Sequence, residues 1–283
     1  MPFLLWIRIS RPQTLFASLC PVLVGLLVVA KSGGNIAGVT AAVTAVSALA
    51  LQVLSNLIND YYDFLRGTDR KGRKGFKRAL AEGEVTPRQM LAACCICAAI
   101  ALLTGVYLVV VGGWPIVIIG ITALLFAWLY TATNHSLSYL GIADIFVYLY
   151  YGIIATMGTV WLQTLDCALL RQAFWAGSVC GICSMCVLII NNLRDINDDR
   201  RANKRTFPVR FGKRAAEWGM LLLIVFAPIC AYMAFDSWIT ACIAVPLLML
   251  FGAVRRAQGA QYNRCLLLAG LCNAIYVVLV WIA

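Results

Sequence analysis

Residues 173–200 read AFWAGSVCGICSMCVLIINNLRDINDDR. The first eighteen positions carry no charge, and the last ten carry five. An uncharged apolar run of this length matches a helix crossing a bilayer, which takes about 20 residues. The change at Asn191 and Asn192 marks its exit into a polar layer. Stretches of the same kind recur at roughly 13–30, 36–58, 89–111, 115–132, 142–163, 216–235, 238–254 and 265–282. With 173–193 they predict an all-α, multi-pass membrane protein of nine transmembrane helices. The first stretch is too long for a cleavable signal peptide and lacks a small-residue cleavage site.

Composition agrees. Of 283 residues, 62% are hydrophobic and 12% charged, against about 45–50% and about 25% in soluble domains. That excludes an ordinary soluble globule and a disordered chain. Nine spans and their loops use the whole length, so 1–283 is expected to be a single membrane domain. The 12 Cys fall mostly inside apolar runs, as Cys94, Cys95 and Cys97 do. An oxidised framework would place them in loops, so they are expected to be reduced packing residues. Cys180-x2-Cys183-x2-Cys186 has iron–sulfur spacing but lies within a span and lacks a nearby fourth Cys-Pro. Packing of small residues accounts for it better.

The formal net charge is +11. If the N-terminus is cytoplasmic, 21 of the 23 Lys and Arg fall on the cytoplasmic side. They comprise Arg8 and Arg11, eight in 66–88, eight in 194–214, and Arg255, Arg256 and Arg264. Only Lys31 and Arg171 lie opposite. This bias sets the orientation, and it puts the basic charge at a membrane surface rather than on a nucleic acid.

The acids are not explained by topology. Six of 12 lie in two clusters. One is Asn56-Leu-Ile-Asn59-Asp60-Tyr-Tyr-Asp63, continuing to Asp69. The other is Asn191-Asn192-Leu-Arg194-Asp195-Ile-Asn197-Asp198-Asp199-Arg200. They close the second and sixth spans, equivalent positions that suggest an internal repeat of about four helices. Asn56, Asp60 and Asp63 stand at i, i+4, i+7, and Asn191, Asp195 and Asp199 at i, i+4, i+8, so each set shares a helical face. Anions so placed repel one another, oppose the helix dipole and lose hydration near a membrane. A cation is therefore expected among them. Carboxylate and amide oxygens without His or Cys suit Mg²⁺, which is commonly held by one or two carboxylates plus substrate phosphates. Bases surround the acids: Lys77 and Arg78 after the first cluster, then Arg194, Arg200, Lys204, Arg205 and Arg210 around the second. A carboxylate–Mg²⁺–diphosphate–Arg/Lys sandwich is the chemistry this pattern predicts.

The same strings resemble the UbiA-type intramembrane prenyltransferases. That family has Asn-Asp-x2-Asp with a third Asp, then Asp-x3-Asp, on a nine-helix fold. Asn59-Asp60-x2-Asp63-x5-Asp69 and Asp195-x3-Asp199 match it. The stretch from Asn191 through Lys204-Arg205-Thr206 to Val209-Arg210-Phe211-Gly212 is similar to the branch that prenylates 1,4-dihydroxy-2-naphthoate in menaquinone synthesis. So are Leu51-Gln-Val-Leu-Ser-Asn-Leu57 and Leu140-Gly-Ile-Ala-Asp144. The Tyr-x3-Lys of the 4-hydroxybenzoate branch is here Tyr130-Thr-Ala-Thr-Asn134, without the Lys. Asp198 is an extra acid beside the second motif.

The resemblance implies a polyprenyl diphosphate donor, an aromatic acceptor, Mg²⁺, and a central cavity open to the membrane with its polar rim at the cytoplasm of a bacterial inner membrane. It implies metal binding by Asp60, Asp63, Asp69, Asp195 and Asp199, with Asp60, Asp63, Asp195 and Asp199 essential to catalysis. It implies diphosphate binding by Asn56, Asn59, Lys77, Arg78, Asn192, Arg200, Lys204 and Arg205, and an acceptor or prenyl pocket at Tyr130, Tyr139 and Asp144. Two roles are open to Asp144, the intramembrane acid. It orients or deprotonates an acceptor hydroxyl, or it is paired structurally. Phe146, Tyr148, Tyr150 and Tyr151 either line the prenyl channel or pack. His135, the single His, has no second ligand near it and is given no role. A cation-coupled transporter is the alternative from another class. Transporter sites usually sit at the bilayer midplane in broken helices, whereas these acids sit at cytoplasmic helix ends among bases.

Overall fold

The computed structural model describes residues 2–67, 78–129, 141 and 143–283. Among these every regular element is a helix. In order they are α1 (Pro2–Ser10), α2 (Pro12–Lys31), α3 (Gly38–Leu65), α4 (Ala79–Glu82), α5 (Pro87–Gly112), α6 (Trp114–Leu129), α7 (Ala143–Thr164), α8 (Leu170–Arg201), α9 (Phe207–Phe235), α10 (Trp238–Arg256) and α11 (Gly259–Ile282). Eight of them, all but α1, α4 and α6, are long and apolar enough to cross a membrane. The expected fourth span corresponds to α6, which is described for 16 residues. The short helix α1 was not anticipated.

Local chemistry sets several helix starts. Pro occupies the first turn of α2, α5 and α9, where its missing N–H costs nothing. Thr86 and Gln89 form a reciprocal capping box at the start of α5, satisfying two exposed donors. The two acidic clusters form the helical C-terminal ends of their spans, as their spacing predicts. No Gly or Pro interrupts 39–66 or 182–207, so α3 runs on to Leu65 and α8 to Arg201. α3 then stops at Gly67, whose φ of 66° is left-handed. α9 is broken early by Gly212, at φ 86° and ψ 166°.

Packing gathers the apolar contacts into two main bodies and a small third cluster where α5, α6 and α7 meet at Leu108, Ile116 and Leu162. The larger is built on α8 with α2, α7, α9, α10 and α11. The smaller joins α3, α4 and α5 with Ile9 of α1, through Leu54, Leu57, Leu80 and Met90. Within the larger body α8 is the central post. Of its apolar window 72% is buried, against 17% for α5. Cys180, Cys183 and Cys186 are completely buried on it, as packing residues should be.

Helix α7 reaches α8 more closely than ordinary side chains permit. A Cβ added at Gly152 would lie 2.5 Å from both Cα and N of Gly181. One added at Gly177 would lie 2.8 Å from the Gly152 carbonyl oxygen. Gly177-x3-Gly181 is thus a small-residue stripe that lets two backbones touch. The facing part of α7, Leu149–Ile154, is π-helical, a widened turn that often accompanies function. Gly152→Val is expected to cost at least the roughly 1–3 kcal/mol typical of overpacking, because the obstructing atoms are backbone. Gly105→Ala, where a Cβ meets nothing within 4 Å, should be neutral or slightly stabilising. Thermal unfolding in detergent of both variants checks this, and equal melting temperatures would refute the close-packing account.

Candidate active site

The ends of α3 and α8, one from each packed body, line a single cleft. Asn59 and Asp63 come from α3, and Leu188, Asn191, Asn192, Asp195 and Asp199 from α8. Arg78, Lys204 and Thr206 complete it from the flanking connections. Its volume is about 420 Å³, counting the part open to solvent. The two acidic clusters therefore meet in space, as helical spacing required of each.

Each inward carboxylate is gripped by a cation or a polar group. Lys204 Nζ lies 3.3 Å from both Asp63 oxygens, tying the connection after α8 to the end of α3. Arg194 donates from Nε to Asp195 Oδ1 at 2.7 Å and from Nη2 to Asp195 Oδ2 at 2.8 Å. Thr206 Oγ1 is 3.5 Å from Asp199 Oδ2, and the Lys204 N–H donates to the Asp199 carbonyl at 2.9 Å. Arg78 Nη1 donates to Asp60 Oδ1 at 2.6 Å, and Arg11 pairs with the same oxygen. Asp60, Asp63, Asp195 and Asp199 are all at least nine-tenths buried. Leaving such groups unpaired would be strongly unfavourable, so these bases are part of the fold as well as of the site.

The expected residues separate by position. Asn59, Asp63, Arg78, Asn192, Asp195, Asp199 and Lys204 line the cleft. Asp60 borders it through Arg78 and is not among the lining residues. Asn56 turns away, donating to the Ser10 carbonyl at 3.2 Å and to Thr14 Oγ1 at 3.0 Å. It fastens α3 to the start of α2. Arg200 and Arg205 are exposed and do not line the cleft. Asp198 is also absent from the lining, as its place off the Asp195–Asp199 face implies. Asp144 sits in the first turn of α7, with Oδ1 buried and without a hydrogen-bond partner. Asp69, Lys77, Tyr130, Tyr139 and His135 lie outside the described residues. Sequence reasoning passed over Arg11, Thr206 and Asn263. Thr206 stood inside a quoted motif, whereas Arg11 and Asn263 carry no local signal.

The donor set fits a hard divalent cation. Three carboxylates and three amides face one cleft, ringed by Arg78 and Lys204. Among the described residues no three of His, Cys, Asp or Glu stand close enough to hold an ion unaided. Carboxylate and amide oxygens are the ligands that a hard divalent cation takes.

Known proteins share the sequence and the fold. The profile of the UbiA prenyltransferase family matches residues 18–279. A 1,4-dihydroxy-2-naphthoate octaprenyltransferase of Escherichia coli (strain K12) is 34% identical over 233 residues, covering 80% of this chain and 74% of that protein. One of Mycobacterium tuberculosis (strain ATCC 25618 / H37Rv) is 32% identical over 271 residues, covering 92% and 89%. Among solved structures, a UbiA homolog from Archaeoglobus fulgidus bound to DMAPP and Mg²⁺ superposes with a TM-score of 0.70 at 17% identity, over 98% of each chain. An apo UbiA homolog from Aeropyrum pernix K1 gives 0.73 at 13% identity, over 94% of this chain and 96% of that one. With the profile spanning nearly its whole length, the chain belongs to the UbiA prenyltransferase family.

Proposed function

We propose that this protein transfers a polyprenyl group from a polyprenyl diphosphate to 1,4-dihydroxy-2-naphthoate, with loss of CO₂, in menaquinone biosynthesis. The observation that carries the reading is the convergence of two acidic helix ends on one cleft that also holds Arg78 and Lys204. Family membership and the names of the bacterial relatives support the acceptor. Mg²⁺ supplies charge stabilisation to the departing diphosphate when bound. The solved homologues bound to DMAPP or GPP with Mg²⁺ support that choice of ion.

The protein's own groups then have distinct tasks. Asp63, Asp195 and Asp199 offer ligand oxygens from opposite walls. Arg78 and Lys204 face the diphosphate and stabilise the charge that grows on it as the allylic C–O bond breaks. Diphosphate leaves with the bonding pair. A ring carbon of the electron-rich naphthoate bonds to the allylic carbon, and the carboxylate departs as CO₂. Asp60 holds Arg78 at the rim, so its contribution is made through that guanidinium. Asp144 is assigned to the acceptor side, as a buried acid with an oxygen still free to accept a hydrogen bond. The reading places the chain as one domain in the bacterial cytoplasmic membrane with the cleft facing the cytoplasm, supported by the 21 bases on that side.

Two measurements test this. Asp63→Ala, Asp195→Ala and Asp199→Ala should each lower Mg²⁺-dependent diphosphate release by at least about a hundredfold in folded protein, a loss typical of removing one electrostatic group at the reacting charge. Asp198→Ala should retain most activity. If Asp198→Ala is as severe as Asp199→Ala, the assignment of those neighbours is reversed. In an acceptor panel read by product mass, dihydroxynaphthoate should be prenylated with CO₂ release, and 4-hydroxybenzoate far more slowly. Faster prenylation of hydroxybenzoate would overturn the acceptor while leaving the metal site intact.

A further inference from the structure

Arg194 is the most completely enclosed base around the cleft, its side chain 3% exposed. It does not line the cleft; it holds residues that do. Besides its fork on Asp195, Nη2 donates to Asn191 Oδ1 at 2.6 Å, and Nη1 donates to Asn263 Oδ1 at 2.9 Å. Asn263 lies at the start of α11, at the far end of the sequence. Neighbouring residues on a helix diverge by about 100° and do not ordinarily face each other. The Arg194–Asp195 fork therefore does not follow from adjacency. The guanidinium has to be drawn back over its own helix, and Asn191 and Asn263 are placed to hold it there.

Burying an arginine is costly unless several acceptors meet its fixed fork of donors. Here three side chains do so, two of them facing the cleft. Both Asp195 oxygens accept from Arg194, which fixes the plane of the carboxylate. Resting on the proposed metal-dependent transfer, we infer that Arg194 and Asn263 are positioning residues. Asn263 fixes the guanidinium, which fixes Asp195 and Asn191 for metal binding, so α11 takes part in building a site it does not line. The alternative is a purely architectural tie between α8 and α11. It would affect stability and leave metal affinity unchanged.

The test is Mn²⁺ binding, read by electron paramagnetic resonance of free Mn²⁺, with geranyl S-thiolodiphosphate as a donor analogue that resists ionisation. Asn263→Ala should weaken Mn²⁺ binding about tenfold or more, the usual cost of losing a partner that orients a ligand. Asn263→Asp, which keeps an oxygen facing Arg194, should stay within about threefold of wild type on the same reasoning. Arg194→Lys, which loses the fork, should fall with Asn263→Ala; if it fails to fold, the Asn263 pair still decides. Wild-type Mn²⁺ affinity in Asn263→Ala would overturn the inference. So would equal weakening in Asn263→Ala and Asn263→Asp with a lowered melting temperature in both. Absence of Mn²⁺ binding by the wild-type protein would instead remove the metal-dependent reading, and this inference with it.

Discussion

Carboxylates at the C-terminal ends of two membrane helices oppose each helix dipole and repel one another, and everything around the cleft answers that constraint. Asp60 is shared by Arg11 and Arg78, Asp63 is met by Lys204, and Asp195 is forked by Arg194. These bases arrive from the α1–α2 junction, from the connection before α4, from the turn after α8 and from α8 itself. Three separate parts of the chain are thereby fastened to the two helix ends, and α8 braces its own. The Lys204–Asp63 pair is one tie between the two packed bodies, since one partner follows α8 and the other ends α3; Asn56 on Thr14 is another.

The same arrangement prepares the chemistry. A site for a metal and a diphosphate needs excess negative charge for the ion and excess positive charge for the phosphate, close together but not mutually cancelled. Holding the carboxylates in buried pairs fixes their direction before any ligand arrives. On the proposed reading, a diphosphate would find Arg78 and Lys204 already beside the acids they hold. Little reorganisation would then be left for the moment of reaction, which is where a preorganised polar site gains over water.

Much of this was legible in the sequence because the signals are local. Span-length apolar runs, the charge bias and the i, i+4 spacing of Asn56 with Asp60 and of Asp195 with Asp199 depend only on neighbouring residues. They were enough for the all-helical membrane fold and for the two acidic faces. What was not legible depends on contacts between distant residues. Asn56 shares the face of Asp60, but its amide is taken by Ser10 and Thr14. Nothing in periodicity foretells that Arg11 reaches Asp60, or that Asn263 closes on Arg194. The π-helical turn at Leu149–Ile154 has no sequence signature either; it lies where Gly152 packs against Gly177 and Gly181 of α8. Arg200 and Arg205 are basic and beside the motif, yet exposed, since a helix end turns adjacent residues in different directions.

The central position of α8 has a consequence for biosynthesis. In the finished protein most of its apolar window is screened from lipid by its neighbours, while α5 is largely exposed, yet the mean hydropathies of the two windows are 2.1 and 2.7. A helix that ends up in a protein interior has no lasting need of a lipid-compatible surface. It does need one while it enters the bilayer, before later helices have been made to cover it. Segment 170–201 precedes α9, α10 and α11 in synthesis, so only α2 and α7 of its eventual partners are made before it. Its mixture of Val, Ile and Leu with Gly, Ser and Cys serves both stages: the large residues carry it into the membrane, and the small ones let its neighbours close around it.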